Sequence, residues 1–387
     1  MSDMNMAEVD IQTFTRLIRE ALEEEDYAPM IGIGKCGVGK TVSIHELTQE
    51  LGIGYRELRL VTLTEVDMLG LPQIKHIEGS NEDMTTYAAN KELPRVERDG
   101  EVGILVLDEI TSAQRGVRAA AYQLLDSKRA LGEYHLPPKW KVIALGNGED
   151  DGGSFEGMEA AFLSRGMAYR IGTNVQCWSE WATKHGLNPS VIAYVKFSPE
   201  HLHKFNEEEL ASVFPCPRTW EKLSTKLTAR EARNGGKKLN PNDVRLYAAG
   251  AIGNDISVQF ATFYEFNTEA IDPEMIMSGK ATGKDLVNKR EVLFLTIESL
   301  TYALNEKFKK HGASSSEAFS AVANTFKWAI SLEKINLDFS IQCISQLSAS
   351  VSGLDAVVLS DEFEDEARGC PEFFDFANRH SITFVAQ

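Results

Sequence analysis

Apolar residues follow two different spacings along the chain. Residues 8 to 24 repeat them at helical intervals, which predicts an amphipathic helix. A short apolar run follows at residues 28 to 33, and further strands are predicted at 55 to 60, 102 to 109 and 140 to 147, with a helical pattern at 114 to 128 between the last two. Strands that are apolar on both faces and alternate with helices predict a parallel sheet covered on both sides.

The strand pattern fades from about residue 191. Segments such as "PSVIAYVKF", "EEELASVF" and "RTWEKLSTKLTAREAR" have helical spacing and are separated by Pro, Asn and Gly. After a polar connection at residues 272 to 285, three further helical patterns reach toward residue 354. The second half therefore predicts a separate, mostly helical region.

Composition and charge narrow the class of protein. The 387 residues are 43% hydrophobic and 25% charged, with no apolar run long enough to span a bilayer. Acidic residues stand where a signal peptide needs basic ones, so we expect a cytoplasmic protein. Five widely spaced cysteines favour reduced thiols over disulfides or a structural metal. A net charge of -17 disfavours duplex DNA as the main partner.

The stretch "GKCGVGKT", Gly34 to Thr41, fits the pattern G-x-x-x-x-G-K-[ST] at every position. In such a loop the backbone N–H groups cradle phosphates, Lys40 reaches the β and γ phosphates, and the Thr41 hydroxyl ligates Mg²⁺. The sequence therefore predicts that ATP and Mg²⁺ are the ligands. The predicted phosphate-binding residues are Gly34, Gly37, Val38, Gly39, Lys40, Thr41 and Val42. A coincidental glycine-rich turn is the alternative.

Two further strands end in polar residues. The run "ILVLDE" ends in Asp108, predicted to hold the Mg²⁺ shell together with Thr41, and in Glu109, predicted to polarise an attacking water. The run "KVIALGN" ends at Asn147. Ligands of parallel sheets bind at the carboxyl ends of the strands, so we expect these side chains to face one phosphate. A solvated acidic turn and a simple turn cap are the alternatives.

These segments, in this order, resemble the MoxR-type AAA+ ATPases, the group that includes the CbbQ and NorQ activases. The resemblance covers about residues 8 to 260 and leaves the rest unassigned. The segments that carry it are Gly34 to Thr41, "EVDMLGLPQI" (65 to 74), "ILVLDEITSA" (104 to 113), "GEYHLPPKWKVIALGN" (132 to 147), "MEAAFLSRG" (158 to 166) and "PCPRTWE" (215 to 221).

The resemblance implies an ATPase that works as a ring, usually a homo-hexamer. Asn147 looks like its sensor 1, and Arg165 like the arginine that reaches the γ phosphate of the next subunit, with Arg170 as the second candidate. A surface arginine that pairs with an acid is the alternative for Arg165. Arg218 looks like its sensor 2. Two predicted hairpins, around residues 65 to 74 and 129 to 138, are candidates for partner contact, and a merely structural role is the alternative for both. Family members commonly act with a protein that carries a von Willebrand factor A domain.

One position departs from the family pattern. Cys36 stands where the family usually has proline, and a thiol at the positive end of a helix can become reactive toward oxidants. An inert small residue is the alternative interpretation.

The predicted fold class is an α/β P-loop AAA+ parallel sheet with helices on both faces, followed by an all-helical lid and an extra helical C-terminal region. The predicted parts are an N-terminal helix (1–27), a nucleotide-binding core (28–190), a lid (191–265) and a C-terminal extension (266–387). The predicted function is ATP-driven remodelling, assembly or activation of a protein partner. A nucleic-acid-associated motor and an anti-phage or signalling module are the alternatives.

Overall fold

The computed structural model describes residues 6–76, 83–148, 160–205, 212–313, 315–365, 369–380 and 382. The chain divides into two compact units. We call the first, which contains the described residues up to 177 and Phe205, the α/β unit. The second, which contains residues 178–204 and the described residues from 212 onward, is the helical unit. The finer four-part division stays a prediction.

Every strand of the described chain lies in the α/β unit. In chain order the strands are β1 Ala7–Val9, β2 Met30–Gly34, β3 Gly54–Arg59, β4 Leu71–His76, β5 Asp83–Ala88, β6 Gly103–Asp108, β7 Ala130–Leu131, β8 Tyr134–His135, β9 Trp140–Gly146 and β10 Met167–Ile171. Six of them form one sheet in the order β1-β10-β2-β9-β6-β3, with every neighbouring pair parallel. The strand before the predicted phosphate loop, β2, is therefore an inner strand.

The helices lie in both units. In chain order they are α1 Ile11–Glu23, α2 Lys40–Leu51, α3 Glu65–Leu69, α4 Val96–Asp99, α5 Arg115–Leu125, α6 Ala160–Leu163, α7 Val175–Lys184, α8 Pro189–Phe197, α9 Pro217–Arg233, α10 Pro241–Ile252, α11 Asn254–Glu265, α12 Pro273–Met277, α13 Arg290–His311, α14 Ser316–Ser331, α15 Leu337–Ser350, α16 Leu354–Val358 and α17 Glu372–His380. None of these described helices is both long enough and apolar enough to cross a bilayer.

The sheet is buried on both faces, as its apolar runs predict. On β6, Ile104 and Val106 pack with α1 and α2, whereas Leu105 and Leu107 pack with α5 on the other face. Successive side chains of a strand point to opposite faces of the sheet, so a strand that is covered on both faces must be apolar at every position. The predicted α/β class is confirmed: a parallel sheet with helices on both faces is followed by an all-helical region.

Two strands of the sheet escaped the sequence analysis. β1 is only three residues long and pairs with β10 at the sheet edge. In β10 only Ile171 of the five residues is buried, and the others are half-buried or exposed. The predicted amphipathic helix is confirmed as α1, which buries Phe14, Ile18 and Ala21.

Both predicted hairpins form, but the first lies later in the chain than predicted because residues 65–69 form helix α3. β4 pairs antiparallel with β5, and β7 pairs antiparallel with β8. The turn between β4 and β5 lies outside the described residues, as do residues 207–211 of the predicted helix "EEELASVF" and the first two residues of "MEAAFLSRG".

The helical unit has its own apolar core. Helices α12 to α17 share one cluster of buried residues, in which aromatic rings meet edge to face. Phe326, for example, lies 5.0 Å from the ring of Phe373 and 5.7 Å from that of Phe363. The core accounts for the long apolar stripes of the C-terminal sequence.

Candidate functional site

The loop from β2 to α2 is shaped by its glycines. Gly37 and Gly39 have φ angles of 75° and 96°, a region that glycine enters without steric cost. A Cβ atom on Gly34 would lie 2.3 Å from the Ile171 carbonyl oxygen, so no larger residue fits there. Val38 is 8% exposed and anchors the loop in the core, whereas Val42 is 53% exposed on the first turn of α2.

Lys40 is the first residue of α2 and points back into the loop. Its ammonium group donates hydrogen bonds to the Gly34 carbonyl at 2.6 Å, the Lys35 carbonyl at 2.9 Å and Asn147 Oδ1 at 3.0 Å. The side chain is 8% exposed. A positive charge is thus held at a helix N-terminus, where backbone N–H groups also favour an anion.

The acidic pair follows β6 directly. The Thr41 hydroxyl donates to Asp108 Oδ2 at 3.0 Å, and the Glu109 backbone N–H donates to Asp108 Oδ1 at 2.9 Å. Both Asp108 oxygens are therefore oriented, and the residue is 8% exposed. Glu109 has a left-handed backbone, with φ 56° and ψ 35°, and its side chain is half-buried.

Asn147 follows β9 and bridges two elements. Its side-chain oxygen accepts from Lys40, and its backbone N–H donates to Thr111 Oγ1 at 3.0 Å. Thr111 is 2% exposed and lies in the short 3-10 turn after Glu109. The sequence motifs did not predict Thr111 as a site residue, although it follows Asp108 and Glu109 in "ILVLDEITSA". Its hydroxyl fixes where the Asn147 backbone lies.

These contacts bring several of the predicted site residues together. Lys40, Thr41, Asp108 and Asn147 are joined by hydrogen bonds at the carboxyl ends of three neighbouring strands, as expected for a parallel sheet. Glu109 joins this group through its backbone N–H, which donates to Asp108. The assigned roles stay predictions.

The predicted trans arginine lies beside α5. Arg165 donates from Nε to Asp126 Oδ1 at 2.9 Å, and its guanidinium carbon lies 5.1 Å from the centre of the Tyr122 ring. Arg170 lies inside β10 and pairs in register with Ile33. Arg218 is exposed in the first turn of α9, behind Pro217, and belongs to the helical unit.

The fit to Mg²⁺ can be judged from the donor atoms. This ion prefers oxygen ligands and is usually held by one or two carboxylates together with substrate phosphates and water. The Thr41 hydroxyl and the Asp108 carboxylate bring two such oxygens within 3.0 Å of each other. The pair therefore suits an ion shared with a phosphate. Elsewhere in the described chain, no group of three or more His, Cys, Asp or Glu residues is placed to hold a metal.

Cys36 is half-buried in the loop, and the other four cysteines are buried. Burial raises the pKa of the Cys343 thiol to about 12. The expectation of reduced thiols and the reactivity of Cys36 both stay predictions.

Comparisons with known proteins add little to these contacts. No protein-family model matches the chain, and no curated protein matches it. Among solved structures, a mutant of RuvB from Thermotoga maritima is similar in shape, with 12% identity over 86% of each chain and a TM-score of 0.37. At this TM-score the likeness carries no further weight, so the site rests on its own geometry.

Proposed function

We propose that the chain is an AAA+ ATPase that hydrolyses ATP to ADP and phosphate with Mg²⁺. One observation carries this proposal: the hydrogen bonds from Lys40 to Asn147 and from Thr41 to Asp108, each 3.0 Å long, join the phosphate loop to the ends of β6 and β9. A glycine-rich turn without function would need no such convergence of a cation, an amide and a carboxylate.

In this proposal the residues divide the work as follows. Backbone N–H groups of the loop and Lys40 bind the phosphates. Thr41 and Asp108 would hold Mg²⁺, which would neutralise charge on the phosphate oxygens. The Glu109 carboxylate accepts a proton from the attacking water. Asn147 orients the γ phosphate, while Arg165 of a neighbouring subunit stabilises its transition-state charge. Arg218 links the nucleotide state to the helical unit.

We further propose a MoxR-type ring, a homo-hexamer, that remodels a protein partner, with a von Willebrand factor A protein as the candidate adaptor. The β4–β5 hairpin supports a protein contact because Ile74 is 78% exposed and Tyr87 is 42% exposed. The two side chains lie on one face of the hairpin, since Tyr87 pairs with Pro72, two residues before Ile74. Exposed apolar surface of this kind commonly marks an interaction site. Leu71, on the opposite face, is 66% exposed.

Hydrolysis is tested with a pair of variants. We expect Lys40→Ala to lose ATP binding, and Glu109→Gln to bind ATP while phosphate release falls by about 10²- to 10⁴-fold. Glu101→Gln is the matched control because Glu101 is an exposed carboxylate just before β6. Isothermal titration and a phosphate-release assay separate the two effects. Wild-type turnover in Glu109→Gln would contradict the proposal.

The partner is tested by affinity capture with ATP-loaded Glu109→Gln from host lysate, with and without nuclease. A specific protein that survives nuclease and is lost with Lys40→Ala supports remodelling of a protein. Retention through nucleic acid alone would instead favour the nucleic-acid motor.

A further inference from the structure

Helix α5 begins beside the candidate site. The chain leaves β6 through Glu109 and the 3-10 turn Ile110–Ser112, and α5 starts at Arg115. Within this turn, Thr111 Oγ1 accepts a hydrogen bond of 3.0 Å from the Asn147 backbone N–H. The N-terminal end of α5 is therefore tied, within a few residues, to both Glu109 and Asn147.

The other end of α5 holds Arg165. Asp126 is the C-cap residue of α5, and its carboxylate accepts from Arg165 Nε at 2.9 Å. One turn earlier, the Tyr122 ring lies 5.1 Å from the Arg165 guanidinium and stacks on Phe162 at 5.2 Å and 24°. Phe162 is 1% exposed, so the segment before Arg165 is anchored in the core. Two neighbouring positions of one helix thus orient one arginine.

Between its ends α5 is firmly packed. Its 11 residues span about 16 Å, and Val117, Ala121 and Leu124 are completely buried. A helix fixed along its length by close packing moves as a unit rather than bending. A displacement at the Glu109 end would therefore be carried to Asp126 and Tyr122.

The contact between Arg165 and Asp126 contributes little stability. The two side chains are 28% and 47% exposed, and ion pairs at such exposure are weak because water and salt screen them. Its geometric effect is larger, since an ion pair together with a ring face fixes both the position and the plane of a guanidinium.

We propose that Asp126 and Tyr122 are positioning residues for Arg165, and that α5 links each subunit's own nucleotide site to the arginine it offers to the next subunit. The inference rests on the proposed function, in which Arg165 acts in trans. It adds the element that sets the arginine's position, and a route by which one site affects its neighbour.

The test is an enzymatic double-mutant cycle with the full chain. A misplaced catalytic group can cost about 10²-fold in rate, so we expect Asp126→Asn to lower kcat by about 10- to 100-fold with KM for ATP within about twofold of wild type. Asp126→Glu should recover most of the rate because it retains the carboxylate. Glu20→Gln is the matched control, since Glu20 belongs to an exposed ion pair with Arg16.

The cycle is completed with Arg165→Lys, which keeps the charge but removes the Nε donor. If Asp126 acts through Arg165, then Asp126→Asn should have no further effect in the Arg165→Lys background. Circular dichroism and sedimentation confirm that each variant folds and assembles. A wild-type rate for Asp126→Asn, or full additivity with Arg165→Lys, would overturn the inference.

Failure of the proposed function can be distinguished from failure of this inference. A wild-type rate for Arg165→Ala would remove the trans role of the arginine, and the inference would fall with it. Loss of activity in Arg165→Ala together with a wild-type rate for Asp126→Asn would leave the proposed function intact and overturn the positioning role alone.

Discussion

The two units of the chain bury charge in different ways. In the α/β unit, Lys40 begins α2 and Asp108 ends β6, and both contact the phosphate loop or its helix: Lys40 donates to the Gly34 carbonyl, and Asp108 accepts from the Thr41 hydroxyl. In the helical unit, Glu298 on α13 is 1% exposed and pairs with Lys196 on α8 at 2.6 Å, and Gln346 on α15 also contacts it. The first arrangement suits a ligand, whereas the second joins helices to one another.

This difference bears on the predicted parts of the chain. Lys196 lies in the predicted lid, whereas Glu298 and Gln346 lie in the predicted C-terminal extension. A buried pair is costly to separate because each charge would be left without its partner in a poorly solvated place. Residues of the predicted lid and of the predicted extension are therefore held together, which agrees with their place in one unit.

We expect the largest loss of stability from substitutions in the apolar cores of the two units. Phe326 in the helical unit and Phe14 in the α/β unit are both 0% exposed, and removal of such a ring costs about 3–5 kcal/mol. We expect Phe14→Ala to weaken ATP binding as well, because its ring lies against Gly32 in β2. Phe326→Ala should leave ATP affinity unchanged. Urea unfolding and ATP titration measure both properties, and equal loss of ATP affinity in the two variants would break the comparison.

A smaller effect is expected from the buried ion pair. Glu298→Gln leaves the Lys196 ammonium, which is 12% exposed, without its counter-charge. We expect the free energy of unfolding to fall by about 2–3 kcal/mol. The matched control is Glu269→Gln, because Glu269 pairs with Lys289 at 36% and 50% exposure and should cost less than about 1 kcal/mol. The free energy of unfolding is measured by chemical denaturation. An equal decrease in the two variants would contradict the view that Glu298 holds the helices together.

The smallest effect is a pH dependence within the helical unit. His201 is 5% exposed, lies 2.9 Å from the Tyr194 hydroxyl, and burial lowers its pKa below 6.5. The unfolded chain therefore binds a proton more readily, and stability should fall as the pH drops below about 6.5 toward the folded pKa.

We expect His201 to contribute at most about 1 kcal/mol of this loss between pH 7.5 and 5.5. Denaturation of wild type and His201→Asn at both pH values isolates this part. The exposed His135 provides the control, since His135→Asn should keep the wild-type slope. An unchanged slope in His201→Asn would contradict the assignment.

The sequence predicted most of the sheet for a simple physical reason. β2, β6 and β9 are buried on both faces, so their apolar runs are continuous and easily recognised. β1 and β10 lie toward the edge, where burial is partial and the apolar pattern is lost. Their strand character comes from pairing with a neighbour, which single-sequence periodicity does not register.

The candidate site divides in the same way. Lys40, Thr41 and Asp108 follow from a local motif and the rule that parallel strands end at one edge, and the meeting of Lys40 with Asn147 follows from the same rule. The contact of Asp126 with Arg165 joins residues 39 positions apart through the packing of α5. No local motif encodes it, so only the folded chain reveals it.

The backbone of Glu109 has a consequence for how this position can evolve. A non-glycine residue at φ 56° carries about 1 kcal/mol of steric strain, which a glycine would relieve. Glu109→Gly should therefore yield a more stable chain that lacks the carboxylate proposed to act on water. Selection for stability and selection for turnover pull residue 109 in opposite directions, so a lineage freed from the need to hydrolyse would be expected to lose this glutamate early.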